Sequence, residues 1–118
     1  EVDIDSGVAK LIHRNPLSIC AKFWVGSSPL VRTDDNGWVC AVHETAKRKK
    51  EIISHRFVWF DKDFNLQKWS KISYFETNGL EMCNGIIPIE DNKYIISCSI
   101  EEDKGQIRTI TKMPEFTQ

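Results

Sequence analysis

An all-β fold is predicted by three features of this sequence. Short runs of β-branched and aromatic residues alternate with polar ones, turn residues separate those runs at hairpin spacing, and no window carries the apolar stripe of a helix. Even the most helix-like segment, Glu44 to Ile53, shows no clean stripe. The chain is organised around His55-Arg56-Phe57-Val58-Trp59-Phe60-Asp61. As a strand, this stretch sets His55, Phe57 and Trp59 on one face and Arg56, Val58 and Phe60 on the other. Both faces then require burial, which calls for layered sheets, and His55 and Arg56 are expected at a rim where the strand begins.

In chain order, Val8 to His13 is a short alternating run ended by Asn15-Pro16, because proline has no N–H to give a ladder. Cys20 to Val25 is a second run, closed by the turn residues Gly26-Ser27-Ser28-Pro29. Leu30 to Arg32 enters Asp34-Asp35-Asn36-Gly37, whose Asn-Gly pair suits a tight hairpin, so Trp38 to Glu44 returns antiparallel. Thr45 to Lys50 is a polar connection. After the central stretch, Lys62-Asp63-Phe64-Asn65 turns the chain into Leu66 to Phe75, and Asn78-Gly79 punctuates again. Met82 to Ile89, Tyr94 to Ile100 and Gln106 to Thr111 complete about nine strands, separated by Glu90-Asp91-Asn92 and Asp103-Lys104-Gly105.

Acidic turns headed by Asp34, Asp61 and Glu90 recur 27 and 29 residues apart, a weak repeat of hairpins. The repeat favours a partial β-propeller of about two four-stranded antiparallel blades and a remnant, with a β-sandwich as the alternative. A closed propeller needs more blades, so the chain is expected to be part of one or to assemble with copies of itself. Open blade edges point to self-association, or to association with the missing half of the propeller.

The 118 residues, 41% of them hydrophobic, amount to a single all-β domain, 1–118, or a fragment of a larger propeller. A net charge of -1 with 28% charged residues gives no bias towards nucleic acid or anionic membrane. The basic run Lys47-Arg48-Lys49-Lys50 is flanked by Glu44 and Glu51 and has no interleaved aromatics, so it reads as a solvated hairpin loop and a nucleic-acid partner is disfavoured. No apolar run approaches a membrane span, and Glu-Val-Asp-Ile-Asp at the amino terminus lacks the regions of a signal peptide. The expectation is a cytoplasmic protein with no membrane partner. Cys20, Cys40, Cys83 and Cys98 form no C-x-x-C pair and sit in or beside strand-like runs, which reads as buried reduced thiols, with disulfides as the alternative. His13, His43 and His55 are dispersed, so no metal site is expected.

Several segments in order carry a resemblance: Gly37-Trp38-Val39-Cys40-Ala41-Val42-His43-Glu44, His55 to Phe64, Tyr74-Phe75, Gly79-Leu80-Glu81-Met82-Cys83-Asn84-Gly85 and Tyr94-Ile95-Ile96-Ser97. Together they resemble the carboxy-terminal half of the five-bladed β-propeller proteins related to glycoside hydrolase family 130. These are mannoside phosphorylases and mannosidases, together with propeller domains attached to glycosyltransferases. The resemblance covers about residues 25 to 110. It implies a mannose-type sugar or sugar phosphate as ligand, inorganic phosphate as co-substrate and no other cofactor.

Phosphorolysis with inversion needs a general acid on the leaving oxygen while phosphate attacks the opposite face of the sugar. Basic side chains must therefore gather where phosphate binds. His43, His55 and Arg56 are the matching side chains, and Glu44 and Glu81 are acceptors suited to sugar hydroxyls or to orienting the histidines. The family's general-acid aspartate belongs to the amino-terminal half, so this chain alone is expected to be inactive. A further departure is Ser97-Cys98-Ser99-Ile100-Glu101-Glu102-Asp103, where the family has a Tyr-Gly-Ala-like segment and an aspartate, leaving the role of Asp103 open.

Each of these residues also has a structural alternative. His43 and His55 can bond a neighbouring carbonyl, Arg56 can pair with Glu44 or Asp61, and Glu81 can accept from backbone amides. Trp24, Trp38, Trp59 and Trp69 suit a sugar ring, but alternating aromatics in strands are usually core, and core is the favoured role. Besides the sugar-binding reading stands a non-catalytic interaction or support domain of a glycosyltransferase-associated protein.

Overall fold

Ten consecutive cross-strand pairs, from Trp38 opposite Phe60 to Lys47 opposite Glu51, build the central hairpin of the protein. The computed structural model describes residues 1–15, 23–47, 51–75, 80–90, 93–101, 104–110 and 116–117. Among them run nine strands: β1 (Val25–Gly26), β2 (Val31–Arg32), β3 (Trp38–Lys47), β4 (Glu51–Phe60), β5 (Leu66–Ser70), β6 (Glu81–Pro88), β7 (Tyr94–Ile100), β8 (Lys104–Ile110) and β9 (Phe116–Thr117). They form two antiparallel sheets. One has the order β1-β3-β4-β5-β9 with β2 also on β3, and the other the order β6-β7-β8.

The all-β expectation is met, and β7 has the bounds that alternation gave it. The sheets are six- and three-stranded rather than two four-stranded blades, and neither closes on itself. The Val8 to His13 run forms no strand; Ala9 makes an isolated bridge with Val2. Cys20, Arg48 to Lys50, Asn78-Gly79, Asp91-Asn92 and Asp103 lie outside the described residues.

The period-two reading of the central stretch holds. On one face of the hairpin Val39, Ala41, Phe57 and Trp59 join Cys83, Ile86, Tyr94, Ile96, Cys98 and Ile100 of the second sheet in the main core. On the other face Cys40, Val42 and Val58 pack with Trp24, Phe60, Leu66 and Trp69. We call these the inner and outer faces. A strand covered on both sides needs apolar residues at odd and even positions alike, which is the composition of β3 and β4.

Serines and turns shape the margins. Gly26-Ser27-Ser28-Pro29 ends the first run as its turn residues predict, and because β1 and β2 both run antiparallel to β3, the segment interrupts one edge without reversing the chain. Its polar groups bridge the gap: the N–H groups of Ser27 and Ser28 donate to the Ala41 carbonyl, and Ser28 Oγ accepts the Ala41 N–H at 2.7 Å. Likewise β5 stops at Ser70 because Ser70 Oγ takes the Phe57 N–H at 2.8 Å in place of a backbone carbonyl. The ladder resumes where Ser73 exchanges both backbone bonds with His55.

At the β2–β3 turn Asn36 holds the left-handed conformation, φ 64°. Gly37 is needed for a different reason: a Cβ there would lie 2.5 Å from the Phe60 carbonyl oxygen. In the β4–β5 turn, Asp61 Oδ1 accepts the N–H groups of Asp63 and Asn65 at 2.8 and 2.9 Å, an Asx arrangement.

Candidate functional site

The five residues singled out from sequence divide between the two faces. His43 and His55 lie opposite one another on β3 and β4 with their side chains on the inner face, and Glu81 stands at the start of β6 in the facing sheet. Glu44 and Arg56, each one residue further along its strand, lie on the outer face. The structure therefore forms a buried group and a half-buried group, and not one convergent site.

The buried group holds the two sheets together. His55 is 0% exposed, and its Nε2 accepts the N–H of Cys83 at 3.0 Å. That bond puts the ring proton on Nδ1, which is buried and has no hydrogen-bond partner among the described residues. Burial, reinforced by the nearby His43, pushes the His55 pKa down to about 4. Its ring lies 4.7 Å from that of Phe75. Because His55 exchanges its backbone bonds with Ser73, its pairing with His43 is of the narrow kind, which brings their side chains close. Glu81 is 1% exposed and accepts the Phe75 N–H through Oε1 at 2.8 Å.

These contacts also protect the free edge of β6. The Cys83 N–H is taken by His55, and the Cys83 carbonyl accepts from Ser27 Oγ. Side chains from the first sheet thus satisfy an edge that would otherwise present unpaired backbone groups. The rim expected for His55 is not there, because β4 begins at Glu51 and places His55 in mid-strand. The strand runs on through Glu51 and Ser54, paired with Lys47 and Glu44 of β3.

The outer group is more accessible. Glu44 Oε1 accepts from Arg56 Nε at 2.8 Å and from Trp24 Nε1 at 2.8 Å, with the Arg56 and Glu44 side chains 18% and 24% exposed. Arg56 also donates through Nη1 to the Ser70 carbonyl at 3.1 Å. Trp24 meets Trp69 edge-to-face, ring centroids 5.8 Å apart, and both indoles are half-buried. A carboxylate and a guanidinium are thereby fixed beside two indoles, the combination that planar polar recognition with ring packing requires. A core role is the expected one for strand tryptophans, and Trp24 and Trp69 do pack against the outer cluster; what decides their position is that Trp24 lies just before β1 and Trp69 pairs with outer-facing Val58.

A cleft of about 360 Å³ opens at the other end of the hairpin, lined among others by Asp35, Gly37, Trp59, Asp61, Gln67 and Lys68. Its carboxylates are occupied in holding turns. Asp35 accepts from Thr33 Oγ1 and the Gly37 N–H, and Asp61 Oδ2 accepts from the side chains of Asn65 and Gln67. Lys68 Nζ sits 5.1 Å from the centroid of the Trp59 ring, covering the aromatic surface a sugar would use.

Among the described residues no group of three or more His, Cys, Asp or Glu side chains is arranged to hold a metal ion, and no helix is long and apolar enough to cross a membrane. No protein-family model matches the chain, and no curated protein or solved structure matches it either.

Proposed function

We propose that this chain is a sugar-binding, non-catalytic segment of a carbohydrate-active protein, and that its ligand contacts the outer face at Trp24, Glu44, Arg56 and Trp69. The observation that carries the reading is the Glu44–Arg56 pair fixed beside two half-buried indoles. The resemblance of the segments around His55 and Glu81 to the mannoside-active propellers supplies the ligand class, a mannose-type sugar. Glu44 neutralises the guanidinium of Arg56, so the patch favours an uncharged sugar over a sugar phosphate and offers inorganic phosphate little attraction. His43, His55 and Glu81 serve this reading from the inner side, where His55 and Glu81 tie the fold together beneath the patch rather than touching the ligand.

The test is calorimetric titration of the folded chain with mannose, short mannosides and mannose 1-phosphate. Binding of the neutral sugars, weakened about tenfold by Arg56→Ala while the fold survives, is the expected result. Absence of heat with every sugar, on protein shown to be folded, contradicts the reading.

A second reading, the interaction or support domain, is favoured by the outward side of the β6–β8 sheet. Ile87 and Ile107 are 60% and 79% exposed there, in rows that also hold Ile95, Ser97 and Thr109 and contain no charged residue. If that side docks against another sheet, Ile107→Lys abolishes association in light scattering without lowering the melting temperature.

A further inference from the structure

Cys83 and Cys98 stand directly opposite one another in the β6–β7 register. Both backbone groups of Cys83 point away from β7, the N–H to His55 Nε2 and the carbonyl to Ser27 Oγ. The pair is therefore the narrow, non-hydrogen-bonded kind, whose Cα atoms lie about 4.5 Å apart with side chains leaving the same face. That separation falls inside the range of about 4.4–6.8 Å that a disulfide spans. Both side chains belong to the main core, at 0% and 2% exposure, and both are present as thiols. Cys40, the other buried thiol among the described residues, belongs to the cluster on the outer face of the first sheet.

We propose that Cys83 and Cys98 are a modification site, at which a low-molecular-weight disulfide such as oxidised glutathione converts them into one cross-strand disulfide joining β6 to β7. In the first step one protein thiol loses its proton, and its sulfur attacks the glutathione disulfide, forming a mixed disulfide and releasing one glutathione. In the second step the other protein sulfur, also deprotonated, attacks the protein sulfur of that mixed disulfide and releases the second glutathione. One S–S bond breaks in the oxidant and one forms in the protein. Two protein thiols give up two electrons and two protons, which leave on two glutathione thiols.

Access controls the rate. Burial pushes the Cys83 thiol up to about 12, so thiolate is scarce while the core is closed. Reaction therefore proceeds through opening of the β6 edge, where the Cys83 backbone is held by side-chain caps from His55 and Ser27 rather than by a neighbouring strand. The product fixes β6 to β7 beside the Asn84 bulge, at the residue whose N–H His55 holds, so the oxidation state of the pair reaches the contact between the sheets.

The test is to equilibrate the 118-residue chain with excess oxidised glutathione until its thiol count stops changing, then quench with acid, alkylate and map by mass spectrometry. The expected result is loss of two hydrogens, a Cys83–Cys98 linked peptide, alkylated Cys20 and Cys40, and reversal by dithiothreitol. A Cys20→Ser, Cys40→Ala variant, which keeps only the opposed pair, gives the same loss, and Cys98→Ser gives no internal bond. Full alkylation of Cys83 and Cys98 at the plateau, or a bond from either to Cys20 or Cys40, overturns the proposal.

Discussion

The inner and outer faces of the central hairpin use the same residue types for opposite purposes. On the inner face an imidazole and a carboxylate, His55 and Glu81, are shut away from water and spend their acceptor atoms on backbone N–H groups. On the outer face a carboxylate and a guanidinium, Glu44 and Arg56, satisfy one another and keep part of their surface in solvent. His55 and Arg56 are neighbours in the chain, yet a step of one residue along a strand moves a side chain from one environment to the other. Adjacency in sequence is therefore a poor guide to a shared site in a sheet covered on both sides. What separates the two groups is whether part of the polar side chain still reaches solvent.

The comparison predicts a graded set of effects. The largest is His55→Ala, which leaves the Cys83 N–H buried without an acceptor and opens a cavity between the sheets. A loss of about 3–5 kcal/mol is expected in urea denaturation. A loss below about 1 kcal/mol would mean that His55 does not bridge the sheets. Next is acid. The folded pKa of His55 lies near 4 against 6.5 unperturbed, so between these values the unfolded chain takes up a proton that the folded chain refuses. Stability is intact above pH 6.5 and falls with pH down to about 4, by about 3 kcal/mol in all. Denaturation midpoints at a series of pH values check this, and a flat profile across that window would place His55 in water.

Gly37→Ala comes third. The added methyl meets the Phe60 carbonyl at 2.5 Å, backbone that cannot swing away, and a cost of about 1–3 kcal/mol is expected by thermal melting. The smallest effect on stability belongs to the outer face. Arg56→Ala removes a half-buried ion pair and the bond to the Ser70 carbonyl, a loss of about 1 kcal/mol, while its effect on sugar affinity is the larger one. If Arg56→Ala destabilised the chain as much as His55→Ala, the division between the faces would disappear.

Much of the fold was legible in the sequence, and the reason is periodicity. Phe57 and Trp59 against Val58 and Phe60 announced a strand buried on both sides, and Tyr94 to Ile100 marked its own ends. Asp34 to Gly37 was recognisable as a turn from its Asn-Gly pair, and Lys62 to Asn65 from its run of turn residues. Polar residues that finish a sheet edge were not legible. Ser27, Ser70 and His55 accept or donate across the fold at distances no local pattern encodes, so Ser27 read as punctuation, Ser70 as a mid-strand residue of Leu66 to Phe75 and the histidine as a rim ligand. The candidate site was half visible for the same reason. Glu44 and Arg56 were chosen for their charge and do pair, but nothing in the sequence said that Trp24, 20 residues before Glu44, would donate to the same oxygen.

One measurement bears on the central claim most directly: amide and indole chemical-shift mapping of the isotopically labelled chain during titration with a mannoside. The account predicts that the Trp24 and Trp69 indole N–H signals and the Arg56 Nε–H signal move together and saturate, while the Cys83 amide, held by His55, stays in place. Shifts centred on His43, His55 and Cys83, or no shift anywhere, would contradict it.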